Sequence, residues 1–311
     1  MHYLGIDVGS STCKLVIINE YKEIVFKKIL SIMGEPLKAV NKAIIDDFDK
    51  FKEVSKIGVT GSSRSLIAKH LKTNIIKSEV IAHTLAAIEV YGNVGTIFEI
   101  GGQDAKFISL ENSIIKEFKI NSTCAAGTGA FLEAQARKMG LTLNEFDIYS
   151  QNATNDIRLT GKCAVFIESA IINYQKLGES IENIVKAICY ALAKNYYSEF
   201  CKGKTLTEPI YFQGGVAKIN ALKSALEKFT NKEIFVHPLC EFMGALGMAI
   251  FALEARDQDE NNCIMHITLE NAYKTNIIFC NGCKQACSLV EYLNSKNELE
   301  FIIGGRCGKY S

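Results

Sequence analysis

One frame occurs twice in this chain, each time at the end of an apolar strand. It reads acid, apolar, glycine, small residue, three further residues, then lysine and an apolar residue. In "GIDVGSSTCKL" it supplies Asp7, Gly9 and Lys14; in "FEIGGQDAKF" it supplies Glu99, Gly101 and Lys106 at the same spacing. Both copies read as strand–turn–strand, the second over residues 95–110. Such a repeat predicts two halves built on one plan, with a cleft between their glycine turns.

The remaining pattern alternates between helix and strand. Helices are predicted at 34–50, 64–72 and 78–91 around a short strand at 56–61. From residue 121 the chain turns mostly helical, at 124–139, 163–176 and 180–201. A strand at 209–217 then ends in a third glycine turn, Gly214 and Gly215, followed by the helix "KINALKSALEKF", the strand "EIFVHP" and an apolar helix at 242–255. This alternation predicts an α/β fold. The expected domains are residues 1–95 with the return helix 242–255, residues 96–241, and a Cys-rich extension, 256–311, that opens on the charged linker "EARDQDENN".

Composition narrows the function classes. With 48% hydrophobic residues, 22% charged and three prolines, the chain is expected to be globular. A net charge of +1 offers no field for nucleic acid or an anionic membrane, so neither is an expected partner. The start, "MHYLGIDVGS", lacks the basic-then-apolar pattern of a secretion signal, and the 13-residue run "MGALGMAIFALEA" is too short to cross a bilayer. The expectation is a cytoplasmic protein, where thiols stay reduced and clustered cysteines point to metal or catalysis rather than disulfides.

Glycine turns after apolar strands suit phosphate, because backbone N–H groups can approach an anion closely there. A P-loop is excluded: "GKT" occurs at 203–205, but Ser198 stands where that motif needs glycine. A dinucleotide fingerprint is excluded too, since "GTGAFL" has Leu132 at the third glycine position. What remains is a different cradle. The first turn offers Gly9, Ser10, Ser11 and Thr12 as donors, Lys14 as a cation and Asp7 as a carboxylate on the Mg²⁺ side. The second offers Gly101, Gly102, Gln103 and Asp104, with Gln103 or Asp104 to orient an attacking water. Gly214, Gly215 and Lys218 would take the adenosine moiety. Taken singly, each turn also reads as a hairpin chosen for backbone geometry; together, with both acids, they suit a Mg-nucleotide.

The motifs "GIDVGSSTCK", "GGQDAK", "FQGGVAKIN" and "GALGMA" resemble the phosphate and adenosine motifs of the actin/sugar-kinase ATPase superfamily. More narrowly, "CAAGTGAFLE" and "GKCAVFIES" resemble the BadF/BadG/BcrA/BcrD-type ATPases, activators of 2-hydroxyacyl-CoA dehydratases and ATP-coupled donors of benzoyl-CoA reductases. The resemblance covers roughly residues 1–255. It implies two actin/sugar-kinase-like subdomains around a nucleotide cleft, with ATP/ADP and Mg²⁺ as ligands. It also implies a homodimer, an iron–sulfur dehydratase or reductase as partner, and an upstream ferredoxin or flavodoxin as electron source.

The resemblance gives a role to two of the eleven cysteines. Cys124 and Cys163 each precede a helix, whose N-terminus stabilises a thiolate and an anionic cluster. Two cysteines cannot complete a four-thiolate site, but a C2 dimer supplies four, and the family bridges its subunits with one [4Fe–4S] cluster in this way. "GTG" after Cys124, with Gly127 and Gly129, would then join nucleotide to cluster. On its own, a helix-start cysteine also reads as a small buried apolar residue, which is the expectation for Cys13, Cys189, Cys201 and Cys240.

The extension departs from the short activators. Cys280, Cys283 and Cys287 form C-x₂-C-x₃-C, and Cys307 follows, with Cys263 and His266 in reserve. Four thiolates suit structural zinc or a second iron–sulfur cluster; incidental or redox-active cysteines are the alternative. Glu241 stands where the family pattern has Gln, and Ala130 is small where a larger residue is usual. Two other functions suit the same fold: a small-molecule kinase, which needs a base for a substrate hydroxyl and no iron, and a nucleotide switch without enzymatic activity.

Overall fold

The computed structural model describes residues 1–121, 125–159, 161, 163–255, 273–282, 284–306 and 310. The chain divides into two compact units, residues 1–78 with 248–311, and residues 79–247.

The first unit opens with β1 (His2–Val8), β2 (Thr12–Asn19) and β3 (Ile24–Ser31), followed by α1 (Pro36–Asp46), α2 (Phe48–Phe51), β4 (Val54–Thr60), α3 (Arg64–His70) and β5 (Ile75–Ile76). Its sheet runs β3-β2-β1-β4-β5, antiparallel over the first three strands and parallel from β1 to β5. β1 is central and reads as a continuous buried run, as expected for a strand covered on both faces. β3, at the edge, alternates between half-buried and exposed positions, and its Lys27 and Lys28 blunt an edge that would otherwise invite pairing. Leu4, Ile6, Leu15 and Ile17 pack against Val40, Ile44 and Ile67 to form the core.

The second unit contains α4 (Glu79–Tyr91), β6 (Thr96–Ile100), β7 (Ala105–Glu111), β8 (Ile114–Asn121), α5 (Gly129–Lys138), α6 (Leu143–Gln151), α7 (Ala164–Lys176), α8 (Ile181–Tyr196), β9 (Ile210–Gln213), α9 (Asn220–Thr230) and β10 (Ile234–Val236). α10 (Met243–Glu254) starts in this unit and ends in the first. The sheet runs β10-β9-β6-β7-β8, the same order and directions as the first sheet with each strand replaced by its counterpart. The division falls before α4 because Val80 and Ala87 of that helix cluster with Ile97, Ile108 and Leu110 of the second sheet.

The duplication extends to register. Asp7 lies opposite Lys14 across β1 and β2, and Glu99 opposite Lys106 across β6 and β7. Gly9 N–H donates to the Thr12 carbonyl at 3.1 Å, and Gly101 N–H to the Asp104 carbonyl at 2.9 Å, so Asp104 occupies the place of Thr12. On the parallel side, Asp7 is registered with Thr60 and Glu99 with Gln213. The next residues, Gly61 and Gly214, have φ of +98° and +99°. A Cβ there would lie 2.3 Å from the Val8 carbonyl oxygen and 2.2 Å from that of Ile100, so both positions require glycine.

After α10, the described residues form β11 (Lys274–Phe279), β12 (Ser288–Leu293) and β13 (Leu299–Gly304), a separate antiparallel sheet within the first unit. It is fastened there by polar and aromatic contacts. Lys69 Nζ donates to the Ile302 and Tyr310 carbonyls at 2.9 Å, and the His70 ring packs edge-on to Tyr273, which itself meets Tyr292 and Phe301 within the extension. His70 Nε2 meets Asn41 Oδ1 at 2.7 Å, which puts the proton on Nε2 and leaves Nδ1 to accept from the Tyr273 hydroxyl at 2.9 Å. Burial lowers the His70 pKa to about 4. An unfolded chain takes up this proton near pH 6.5, so stability should fall as pH drops from about 6.5 to 4, by up to roughly 3 kcal/mol. Melting curves over that range should show a steeper fall in wild type than in His70→Gln; parallel curves would contradict this assignment.

Candidate nucleotide and metal sites

Within the first unit, Asp7 is 6% exposed and its Oδ2 lies 3.9 Å from Lys14 Nζ, an open pairing that leaves the ammonium able to reach another anion. Ser10 is exposed, with Ser11 and Thr12 half-buried beside it. A Cβ on Gly9 would meet nothing closer than the Thr12 carbonyl, at 3.5 Å, so packing alone does not demand glycine at this turn.

The second turn is built differently. Lys106, 2% exposed, places Nζ 2.5 Å from Glu79, 2.9 Å from Glu99 and 2.9 Å from Asp104. Burial alone would lower the lysine pKa, but the fields of Glu99, Glu79 and Asp104 outweigh it and hold the ammonium above its ordinary value. Burial pushes the Glu99 carboxyl up, with Lys106 opposing the shift. On the other side of Glu99, Gln213 is wholly buried; its Oε1 accepts from His83 Nδ1 at 2.7 Å, and among the described residues its Nε2 has no hydrogen-bond partner. Glu79, Glu99, Lys106, His83 and Gln213 therefore form one buried polar cluster beside the second turn, to which the motif reading assigns no role. The repeated frame already contained Glu99 and Lys106, as counterparts of Asp7 and Lys14. Nothing local in the sequence singles out Glu79.

The segment after Cys124 joins this turn directly. Gly129 N–H donates to the Gly101 carbonyl and Ala130 N–H to the Gly102 carbonyl, both at 2.8 Å. The first amides of α5, free of helical partners by position, thus hold the second glycine turn. Gly127 precedes them in a 3₁₀ turn, Ala125–Gly127. In the third turn, Gly214 N–H donates to the Cys240 carbonyl at 2.9 Å, and Gly215 opens the 3₁₀ turn Gly215–Lys218. Lys218 Nζ is paired with Glu241, so the residue that departs from the family pattern engages the cation beside the expected adenosine position. A cavity of about 350 Å³ lies elsewhere in this unit, among Ser150, Asn155, Tyr190, Asn220 and Lys228, and none of the glycine turns lines it.

Among the thiols, Cys163 is exposed at the N-cap of α7, where its side chain caps no backbone amide. Val165 and Phe166, in the first turn of that helix, are 65% and 67% exposed. Cys124 lies outside the described residues. In α7, Glu168 pairs with Lys138 and Ser169 Oγ donates to the Val165 carbonyl. Cys13, Cys189, Cys201 and Cys240 are buried, and burial raises each thiol, to about 12 for Cys13 and Cys201 and about 11 for Cys240. In the extension, Cys280 N–H donates to the Cys287 carbonyl at 2.8 Å, and Cys280 Sγ accepts from Gly282 N–H at 3.3 Å. Cys283 and Cys307, with the reserve ligands Cys263 and His266, lie outside the described residues. Among the described residues no group of three His, Cys, Asp or Glu side chains is arranged to hold a metal ion. No helix there is long and apolar enough to cross a membrane.

Comparison with known proteins agrees with this architecture. The BadF/BadG/BcrA/BcrD ATPase family profile matches residues 4–252. The activator of lactoyl-CoA dehydratase from Anaerotignum propionicum is 34% identical over 259 residues, spanning 82% of this chain and 98% of that protein. Among solved structures, component A of the Acidaminococcus fermentans (R)-2-hydroxyglutaryl-CoA dehydratase superimposes with a TM-score of 0.75 at 29% identity, over 82% of this chain and 98% of that one. The activator of the Clostridium difficile 2-hydroxyisocaproyl-CoA dehydratase, solved with bound ADPNP, gives 0.76 at 30% identity, over 82% and 95%.

Proposed function

Starting from the fact that the chain belongs to the BadF/BadG/BcrA/BcrD ATPase family, we propose that it is an ATP-hydrolysing activator that sends a low-potential electron to a partner iron–sulfur enzyme. The partner would be a 2-hydroxyacyl-CoA dehydratase or a related reductase, and the electron would arrive from a ferredoxin or flavodoxin. In this reading two copies of the chain each contribute Cys124 and Cys163 to one [4Fe–4S] cluster, which supplies one-electron transfer. The observation that carries the proposal is the pair of hydrogen bonds from Gly129 and Ala130 to the Gly101 and Gly102 carbonyls. They tie the nucleotide turn to the segment that begins at Cys124, so a change at one end has a direct route to the other.

The residues divide the remaining work. Gly9 and Gly101 close their turns through their own N–H groups, so the amides at Ser10–Thr12 and Gly102 bind phosphate, assisted by Lys14; Asp7 faces Mg²⁺. Gln103 and Asp104 orient the attacking water, and Gly214, Gly215 and Lys218 bind the adenosine end. Cys163 suits a cluster ligand, being an exposed, uncapped thiol at a helix start, and the apolar Val165 and Phe166 beside it suit a face covered by the second copy. This dimer would keep water from the cluster.

The test is purification without oxygen, followed by iron and ATPase assays. Wild type should carry about two irons per chain, as one shared four-iron cluster requires. Cys163→Ser should lose nearly all of that iron while still binding Mg-ATP. An iron-free wild type that phosphorylates a sugar would overturn the proposal.

A further inference from the structure

We propose that Glu79, at the start of α4, is a positioning residue for ATP hydrolysis, acting through Lys106 on Glu99 and Asp104. This inference rests on the ATPase reading above.

The duplicated halves supply the argument. Asp7–Lys14 and Glu99–Lys106 occupy the same cross-strand register. In the first half the lysine has one carboxylate among the described residues, at 3.9 Å, and its side chain remains 16% exposed. In the second, the lysine side chain is 3% exposed and has three carboxylates at 2.5–2.9 Å. An ammonium has three protons to donate, so Lys106 is saturated and has none left for a phosphate. Its role differs from that of Lys14: it fixes Asp104 on the turn relative to Glu99 on the strand.

Two of the three carboxylates belong to the hairpin itself. Glu79 alone comes from a separate element, and it is the first residue of α4, where a carboxylate is also favoured by the helix dipole. One helical turn later, His83 from the same helix donates to Gln213 Oε1 at 2.7 Å. Gln213, Glu99 and Lys106 are registered side by side on β9, β6 and β7. α4 therefore holds both flanks of Glu99, His83 through Gln213 on one side and Glu79 through Lys106 on the other. The titratable groups that face Glu99 are Lys106, Asp104, Glu79, His83 and, from α8, Tyr196, and Glu79 is among those that raise its pKa.

The experiment compares Glu79→Gln and Glu79→Asp with wild type in steady-state ATP hydrolysis across pH. Small displacements of catalytic groups cost up to about a hundredfold in rate. Glu79→Gln should lower kcat by on the order of tenfold or more, leave KM for ATP within about threefold, and move the acid limb of the kcat profile to lower pH. Glu79→Asp keeps the charge but shortens the reach, and should fall between the two in kcat at wild-type melting temperature. Wild-type kcat in both variants would overturn the inference and leave the ATPase reading intact. A fall in kcat that tracks lost melting temperature, with an unmoved acid limb, would overturn it in favour of a merely structural role. A wild-type chain without ATPase activity would overturn both.

Discussion

Lys106→Met should be among the most damaging single substitutions in the second unit, costing about 3–5 kcal/mol as expected when one partner of a buried ion cluster is removed. Methionine preserves length and apolar packing, so the loss would come from charge. Lys106 is 2% exposed and Glu99 is 4% exposed. Without the ammonium, Glu99, Glu79 and Asp104 would face one another with no counter-charge from within the cluster, as the distances in the cluster require. Glu99 would respond by binding a proton. Its carboxyl is already pushed up by burial, and the substitution pushes it further. A carboxyl raised in the folded state is penalised at high pH and relieved as pH falls, because both states are then protonated. The deficit of Lys106→Met should therefore be larger at pH 8 than at pH 5. Denaturant titrations at both values measure it, and Glu99→Gln in the Lys106→Met background should restore part of the loss at pH 8. A cost below about 1 kcal/mol at pH 8 would mean that the cluster is solvated and not the buried hub described here.

The second large effect separates glycines required by the fold from a glycine left open for a ligand. Gly61→Ala and Gly214→Ala should destabilise by similar amounts, because the two positions match in φ, at +98° and +99°, and in the carbonyl that a Cβ would strike. The backbone conformation alone costs about 1–3 kcal/mol for a residue with a side chain. The collision with Val8 or Ile100 adds about 1–3 kcal/mol. Gly215, the adjacent residue, has nothing within 4 Å of the Cβ it lacks. Gly215→Ala should melt like wild type and, under the nucleotide reading, bind ATP more weakly. Melting temperatures with an ATP titration test all three variants together. A stable Gly214→Ala would undo the claim that the halves share one turn geometry.

The repeated frame was the most legible feature of the sequence, because an acid and a lysine opposite each other across a hairpin impose a fixed spacing. Strand order and register repeat around it as the frame predicts. The frame does not link "VTGSSR" at 59–64 to "FQGGVA", although Gly61 and Gly214 are counterparts; only a glycine and small neighbours are shared, too little to align unaided. β3 and β8 were not read because edge strands carry lysines and glutamates where a central strand has an apolar run. The start of α6 could have been found locally. Thr142 and Glu145 form a reciprocal capping box, with the Thr142 N–H donating to Glu145 Oε2 at 2.8 Å, and T-x-x-E ahead of an apolar stretch is its signature. Glu79 was beyond reach, since its role depends on α4 packing against a sheet whose strands are distant in the chain. The fold around the candidate site was thus readable from periodic patterns, whereas the groups that tune the site come from non-local contacts.

The central claim is that two copies of this chain share one cluster whose electron is released at the expense of ATP. Native mass spectrometry of protein prepared without oxygen tests it most directly. The account predicts a species of two chains plus the mass of one [4Fe–4S] cluster, and its disappearance in Cys124→Ser. A monomer without iron and sulfide, or a dimer whose cluster survives Cys124→Ser, would contradict it.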